Sequence, residues 1–388
     1  KADFHKNAPG LAWDSYFNAA GLNSVPSFIV WHPSALKASS ALVASTPLDT
    51  WKDYLRFHAL NQHTYVLPHA FFDQRFKLSQ VMTGAKAPLP RWKYAVNATN
   101  AALGEEVGKL YVADHFSAEA KAKINGMVAN LLLAFKERVK NISWMAPETK
   151  QEALAKIGSF YVGVGYPDKW RDYAGLKIEA GDALGNADRA SEFAYKTAIA
   201  KFGTPVDVTA WCMTPQTVNA VNMPMQNAIN FPAAYLQIPN FDINASDAAN
   251  YGAIGSTIGH EISHSFDHTG AMIDAKGELR NWWTKDDLIH FQQSAKALAD
   301  QFSAYKPFPD LAVNGVQTLD ENIADLTGLM AAFEAFHIAQ TQKGQTPSKE
   351  SDQEFFWPMA INLAARCAMK CCGLRLSGMV MRLPNIAL

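Results

Sequence analysis

Gly259-His260-Glu261-Ile262-Ser263-His264 is the stretch from which the rest of this chain is read. Four residues along an α-helix make slightly more than one turn, so His260 and His264 project from the same face. Neutral imidazoles suit Zn²⁺, and Glu261, beside the first of them, can reach a metal-bound water as a general base. The run at 251–258 is small and apolar, which predicts a buried helix. Two satisfied core histidines would be the plainer reading, and a second cluster argues against it. Asp320-Glu321-Asn322-Ile323-Ala324-Asp325 opens another apolar helix further along. Glu321 can supply a third ligand. Asp325, one turn on, can accept the free N–H of a ligating His and hold its tautomer. Alone, Glu321 would be read as a carboxylate at a helix N-terminus, where the dipole favours it. The longer H-E-x-x-H-x-x-G-x-x-H pattern is absent, because Asp267 and Gly270 stand at its Gly and His places.

Composition bounds the classes open to the chain. A length of 388 residues suggests two or three domains, and 48% hydrophobic content is ample for sizeable cores. The 35 basic and 36 acidic residues leave a net charge of −1, so nothing favours nucleic acid or an anionic membrane surface. No apolar run is long enough to span a bilayer. Of four cysteines, Cys367, Cys371 and Cys372 crowd one segment and only Cys212 lies elsewhere, so no disulfide framework is expected. The start at Lys1, with neither initiator Met nor signal peptide, reads as an internal fragment.

Trp13, Tyr16, Phe17 and Ala20 recur at helical spacing, and Gly21 can stop that helix. A longer helix is expected after Pro47, with Trp51, Tyr54, Leu55 and His58 on one side. The aromatic run at 65–76 reads as core. Ile124, Val128, Leu131, Leu132, Phe135, Val139 and Ile142 form a helical stripe. Pro147 suits the first turn of a further helix, which Gly158 closes. Residues 1–180 therefore read as all-helical. The polar, Gly-rich stretch between Lys177 and Arg189 is the expected boundary with a second domain at 181–388. Residues 218–222 and 228–231 look like strands around Pro224 and Asn227. An exposed strand edge can pair with an extended peptide, although an ordinary hairpin is the plainer reading. Asp274-Ala275-Lys276-Gly277 reads as a tight turn, Trp282 and Trp283 as packing for a helix at 285–302, and 344–352 as a polar loop. His268 and His290 fall outside the ligand pattern.

Several of these stretches, in the same order, resemble the neprilysin and endothelin-converting-enzyme family. They are Gly165-Tyr166-Pro167-Asp168-Lys169-Trp170-Arg171-Asp172-Tyr173, Val218-Asn219-Ala220, the run from Asn250-Tyr251-Gly252 through Phe266-Asp267, Leu279-Arg280-Asn281-Trp282-Trp283-Thr284, and Glu321 to Asp325. The resemblance covers most of residues 1–356, and the lack of a disulfide framework looks more like a bacterial member of the family. It implies a mainly α fold with a small β component: a helical capping domain plus a thermolysin-like zincin catalytic domain. It also implies a zinc metalloendopeptidase acting on short peptides, with one Zn²⁺ per chain held by His260, His264 and Glu321. Glu261 would be the base and Asp325 the residue orienting a ligand His. Asn219 and Ala220 would hold substrate backbone. The family carries a further N-terminal stretch and works outside the cytoplasm (periplasmic, secreted or membrane-anchored). This chain departs at Val221 and Asn222, where the family usually has two tyrosines.

The departure is largest after Phe355-Phe356. There the family runs into a helix and an Asp-Gly-His-Ala-Pro segment, whose His steadies the oxyanion, followed by an Arg. Residues 357–383 here contain no His. Reading each codon one base earlier turns plausible codons for Gly378-Met379-Val380-Met381-Arg382-Leu383 into that missing segment. A frame-shifted tail, with His expected near position 381, is one reading. Genuine divergence is the other, and it would leave a catalytically impaired zinc- or peptide-binding fragment.

Overall fold

The computed structural model describes residues 1–367, with side chains up to Pro358. The His expected near position 381, together with Cys371, Cys372, Arg375 and Arg382, lies outside the described residues. Eight helices come first: α1 (Ala2–Asn7), α2 (Trp13–Ala19), α3 (Pro33–Ser45), α4 (Leu48–His63), α5 (His69–Thr83), α6 (Arg91–His115), α7 (Ala118–Asn141) and α8 (Pro147–Gly158). Strand β1 (Tyr161–Gly165), α9 (Ala183–Ile199), β2 (Val221–Met223) and β3 (Ala228–Pro232) follow. The chain then continues with α10 (Asp247–Asn250), α11 (Ser256–Ser263), α12 (Lys285–Ser303), α13 (Leu319–Gln342) and α14 (Lys349–Cys367). Among the described residues the fold is mainly α with one small sheet. No helix among the described residues is long and apolar enough to cross a membrane.

Two compact units divide the chain. One comprises residues 1–104 and 171–206, the other 105–170 and 207 onward. The expected boundary between Lys177 and Arg189 is thus not where the compact units part. Residues 105–170 join the second unit for two reasons. The stripe Ile124, Val128, Leu131, Phe135 and Val139 buries α7 in that unit's core, and β1 pairs with β3. The division at 104 follows Leu103, where α6 leaves helical dihedrals (φ −129°, ψ 37°). In the first unit a small core gathers Ala8, Trp13 and Phe17 with Phe4, Leu22 and Phe28. Of the aromatic run expected to be core, Phe72 is buried but Phe71 is exposed.

β1 also corrects the expectation that 1–180 is all-helical. Tyr161-Val162-Gly163-Val164-Gly165 alternates β-branched and small residues and lies parallel to β3, with Val162 opposite Ile229. β2 runs antiparallel on the other side of β3, giving the order β1-β3-β2 with β2 at an edge. The hairpin turns at Asn227, whose φ of 47° is left-handed, a conformation that Asn tolerates. The loop expected at 344–352 is shorter than read, since α14 begins at Lys349.

The second unit is built around α13, which packs on both α7 and α11. Its small residues Ala324, Gly328, Ala331, Ala332 and Ala335 are buried, so backbones approach closely. Ahead of α11, residues Tyr251–Gly255 form a π-turn, the wider winding that recurs beside functional sites. Residues 258–263 are buried, as the apolar run ahead of His260 predicts.

Candidate active site

α11 carries His260, and His264 caps its C-terminal end one turn on, so that their Nε2 atoms converge to 2.9 Å. Glu321, in the first turn of α13, brings Oε2 to 3.4 Å from His260 Nε2 and Oε1 to 3.8 Å from His264 Nε2. One ligand atom from each of the three lies within 4.8 Å of the others. Tetrahedral zinc with bonds of about 2.0–2.1 Å keeps its ligand atoms about 3.3 Å apart. Two imidazoles and one carboxylate at these separations fit that ion.

The contact of α13 with α11 delivers Glu321. Gly259 and Gly328 face one another so closely that a Cβ on Gly259 would lie 2.3 Å from Gly328 O, and one on Gly328 would lie 2.3 Å from His260 N. Asp325, on the same helix as Glu321, places Oδ1 2.9 Å from His260 Nδ1. The carboxylate expected to orient a ligand His therefore faces His260 in particular.

His264 has its own carboxylate, which the sequence reading missed. Asp267 Oδ2 lies 2.7 Å from His264 Nδ1, while its Oδ1 accepts the N–H groups of Thr269 (2.9 Å) and Gly270 (2.7 Å). An acidic residue three places after a candidate ligand, where the helix ends, was the available signal. Asp320 ties the same loop to the start of α13, accepting from His268 N and Thr269 Oγ1.

Glu261 is buried on α11, and its backbone carbonyl accepts a 2.6 Å hydrogen bond from Asn222 Nδ2. The same amide nitrogen donates to Ser265 Oγ at 2.8 Å. Asn222 thus links strand β2 to the His helix, a role invisible in the sequence. Asn219, exposed, and Ala220, buried, lead into β2. His268 is exposed, and His290 stacks on Trp144 at 4.4 Å, so neither joins the cluster.

Two models of peptidase family M13 match the chain, one over residues 1–167 and the other over 219–371. Among curated relatives, Neprilysin-3 of Drosophila melanogaster is 32% identical over 87% of this chain and 45% of its own length. The neutral endopeptidase of Lactobacillus helveticus is 34% identical over 79% of this chain and 48% of its own length. The crystal structure of Mycobacterium tuberculosis zinc metalloprotease ZMP1 with an inhibitor aligns with a TM-score of 0.84 at 38% identity. That alignment covers 93% of this chain and 56% of the other. The chain spans about half the length of the curated relatives it matches.

Proposed function

The chain belongs to peptidase family M13, and on that premise we propose that it is a zinc metalloendopeptidase module that hydrolyses short peptides. The observation that carries the reading is the convergence of His260, His264 and Glu321, with each imidazole backed by a carboxylate. His260, His264 and Glu321 are the proposed ligands of one Zn²⁺ per chain. When bound, that ion supplies Lewis acidity towards a peptide carbonyl and lowers the pKa of a water to about 7.

The protein's own groups do the rest. Asp325 and Asp267 accept the Nδ1 protons, which leaves the Nε2 lone pairs of His260 and His264 as the atoms that would hold the ion. Glu261 accepts the proton of the attacking water and returns it to the departing amine nitrogen. Asn219 and Ala220, continuing the edge strand β2, pair with the main chain of an extended peptide. The restriction to short peptides and a position outside the cytoplasm are carried over from the family.

Glu261→Gln keeps all three ligands and removes the proton acceptor. Zinc content should remain that of the parent while hydrolysis of a short fluorogenic peptide falls roughly 10²–10⁴-fold. Equal rates in parent and variant would remove Glu261 from the mechanism. A parent that binds zinc stoichiometrically yet cleaves nothing would be a binding module instead.

A further inference from the structure

Lys156, in α8, is fully buried, an uncommon place for an ammonium. Its Nζ donates to three backbone carbonyls: Ser265 O at 2.7 Å, Gly270 O at 2.9 Å and Ile273 O at 2.5 Å. An ammonium has three N–H donors and no acceptor, so the three carbonyls use all of them. A neutral amine would turn its lone pair on one of these oxygens, so the geometry calls for the charged form. Burial pulls the Lys156 pKa down to about 8, with the charges of Asp267 and Asp274 opposing that fall.

The three carbonyls bracket one stretch of chain. Ser265 follows His264 directly, and Gly270 and Ile273 close the turn that carries Asp267. Gly270 packs so near the end of α11 that a Cβ there would lie 1.9 Å from His264 O. Within the bracket, Asp267 receives Thr269 N and Gly270 N on one oxygen and faces His264 Nδ1 with the other. Nothing in the proposed reaction uses Lys156, yet its cation organises the carbonyl side of the loop whose amide side holds Asp267.

We propose that Lys156 is a positioning residue for the metal centre: its ammonium acts as a built-in cation that fixes the 265–273 loop, and so holds Asp267 against His264. The inference rests on the zinc reading above, and its test does not depend on peptide cleavage. Zinc affinity is measured on the full chain by competition with a chromophoric chelator, for the parent, Lys156→Met, Asp267→Asn and the double variant. Each single change should weaken zinc binding by about 10–100-fold, the range for a partner behind a ligand. The double variant should be little worse than the weaker-binding single, because both changes break one chain of contacts.

Asp325→Asn is the control, because Asp325 backs His260 from a different helix. Combined with Lys156→Met its loss should multiply. General loosening of the fold would give the same pattern with both aspartates, whereas action through Asp267 couples to one alone. Lys156→Met leaves three buried carbonyls without their donor and can fail to fold on that account. In that case the cycle is run with Lys156→Arg, which keeps the charge but displaces the loop, and the same selective coupling to Asp267→Asn is expected. Unchanged zinc affinity in a folded Lys156 variant, or losses that multiply with Asp267→Asn, would overturn the assignment. A parent without zinc affinity would instead remove the metal reading on which it stands.

Discussion

Asp267 Oδ2 sits 2.7 Å from His264 Nδ1, a contact closed within the single turn that follows the His helix. The matching contact for the other histidine, from Asp325 Oδ1 to His260 Nδ1 at 2.9 Å, spans 65 residues of chain. Each imidazole thus has a carboxylate behind it, one local and one brought by α13. Replacing either aspartate by Ala should lower zinc affinity by about 10–100-fold, measured by chelator competition. Affinity that survives in Asp267→Ala would mean that Thr269 and Gly270, rather than His264, are what Asp267 serves.

Glu321→Ala removes the only carboxylate among the three proposed ligands. Metal analysis at limiting zinc should show a chain that loses its ion on dialysis while far-UV circular dichroism is unchanged. Retention of one zinc per chain would assign the third ligand elsewhere.

Two glycine substitutions should have opposite signs. Gly328→Ala puts a methyl 2.3 Å from His260 N, so α11 and α13 must separate, at a cost of about 1–3 kcal/mol in urea unfolding. It should also weaken zinc binding, since that contact brings Glu321 to the histidines. Gly126→Ala, in α7 with open space around its added methyl, should instead stabilise by about 0.5–1 kcal/mol. Similar effects at both sites would show that the close approach does not hold.

Asn222→Ala deletes the link from β2 to Glu261 O and Ser265 Oγ. The expected cost is about 1 kcal/mol of stability, with zinc content unchanged. Peptide turnover should fall if Asn222 holds the edge strand in register with Glu261. An unaltered kcat/KM would reduce Asn222 to a packing role.

Asp287 gives the acid limb of stability a defined sign. Burial raises its pKa, but hydrogen bonds from Thr149, Thr284 and the Ala146 amide outweigh that and hold it below the ordinary Asp value. A carboxyl depressed in the folded state contributes stability above its unfolded pKa, and loses it as pH falls through the folded value. The stability difference between the parent and Asp287→Asn should therefore be largest near neutral pH and shrink below about pH 4. Urea midpoints at pH 6.5 and pH 3 test this, and a constant gap would show that Asp287 is not charged in the folded state.

The sequence by itself determined what depends on local period. His260 and His264 share a face because four residues make about one turn, and Glu321 and Asp325 share one for the same reason. The stripe from Ile124 to Val139, Pro147 at a helix start and Asn227 at a hairpin turn were legible on the same grounds. Tertiary structure decided everything that joins separated segments. In α8, Lys150 and Lys156 look alike as sequence. Only packing leaves one half-exposed and surrounds the other with three carbonyls. Residues 161–165 are too short to declare a strand until β3 offers them a ladder. Asn222 reads as a departure from a family pattern until α11 lies beneath it. Local propensity sets which way a side chain points from its own element. What it meets there depends on contacts between segments far apart in the chain, which no periodicity records.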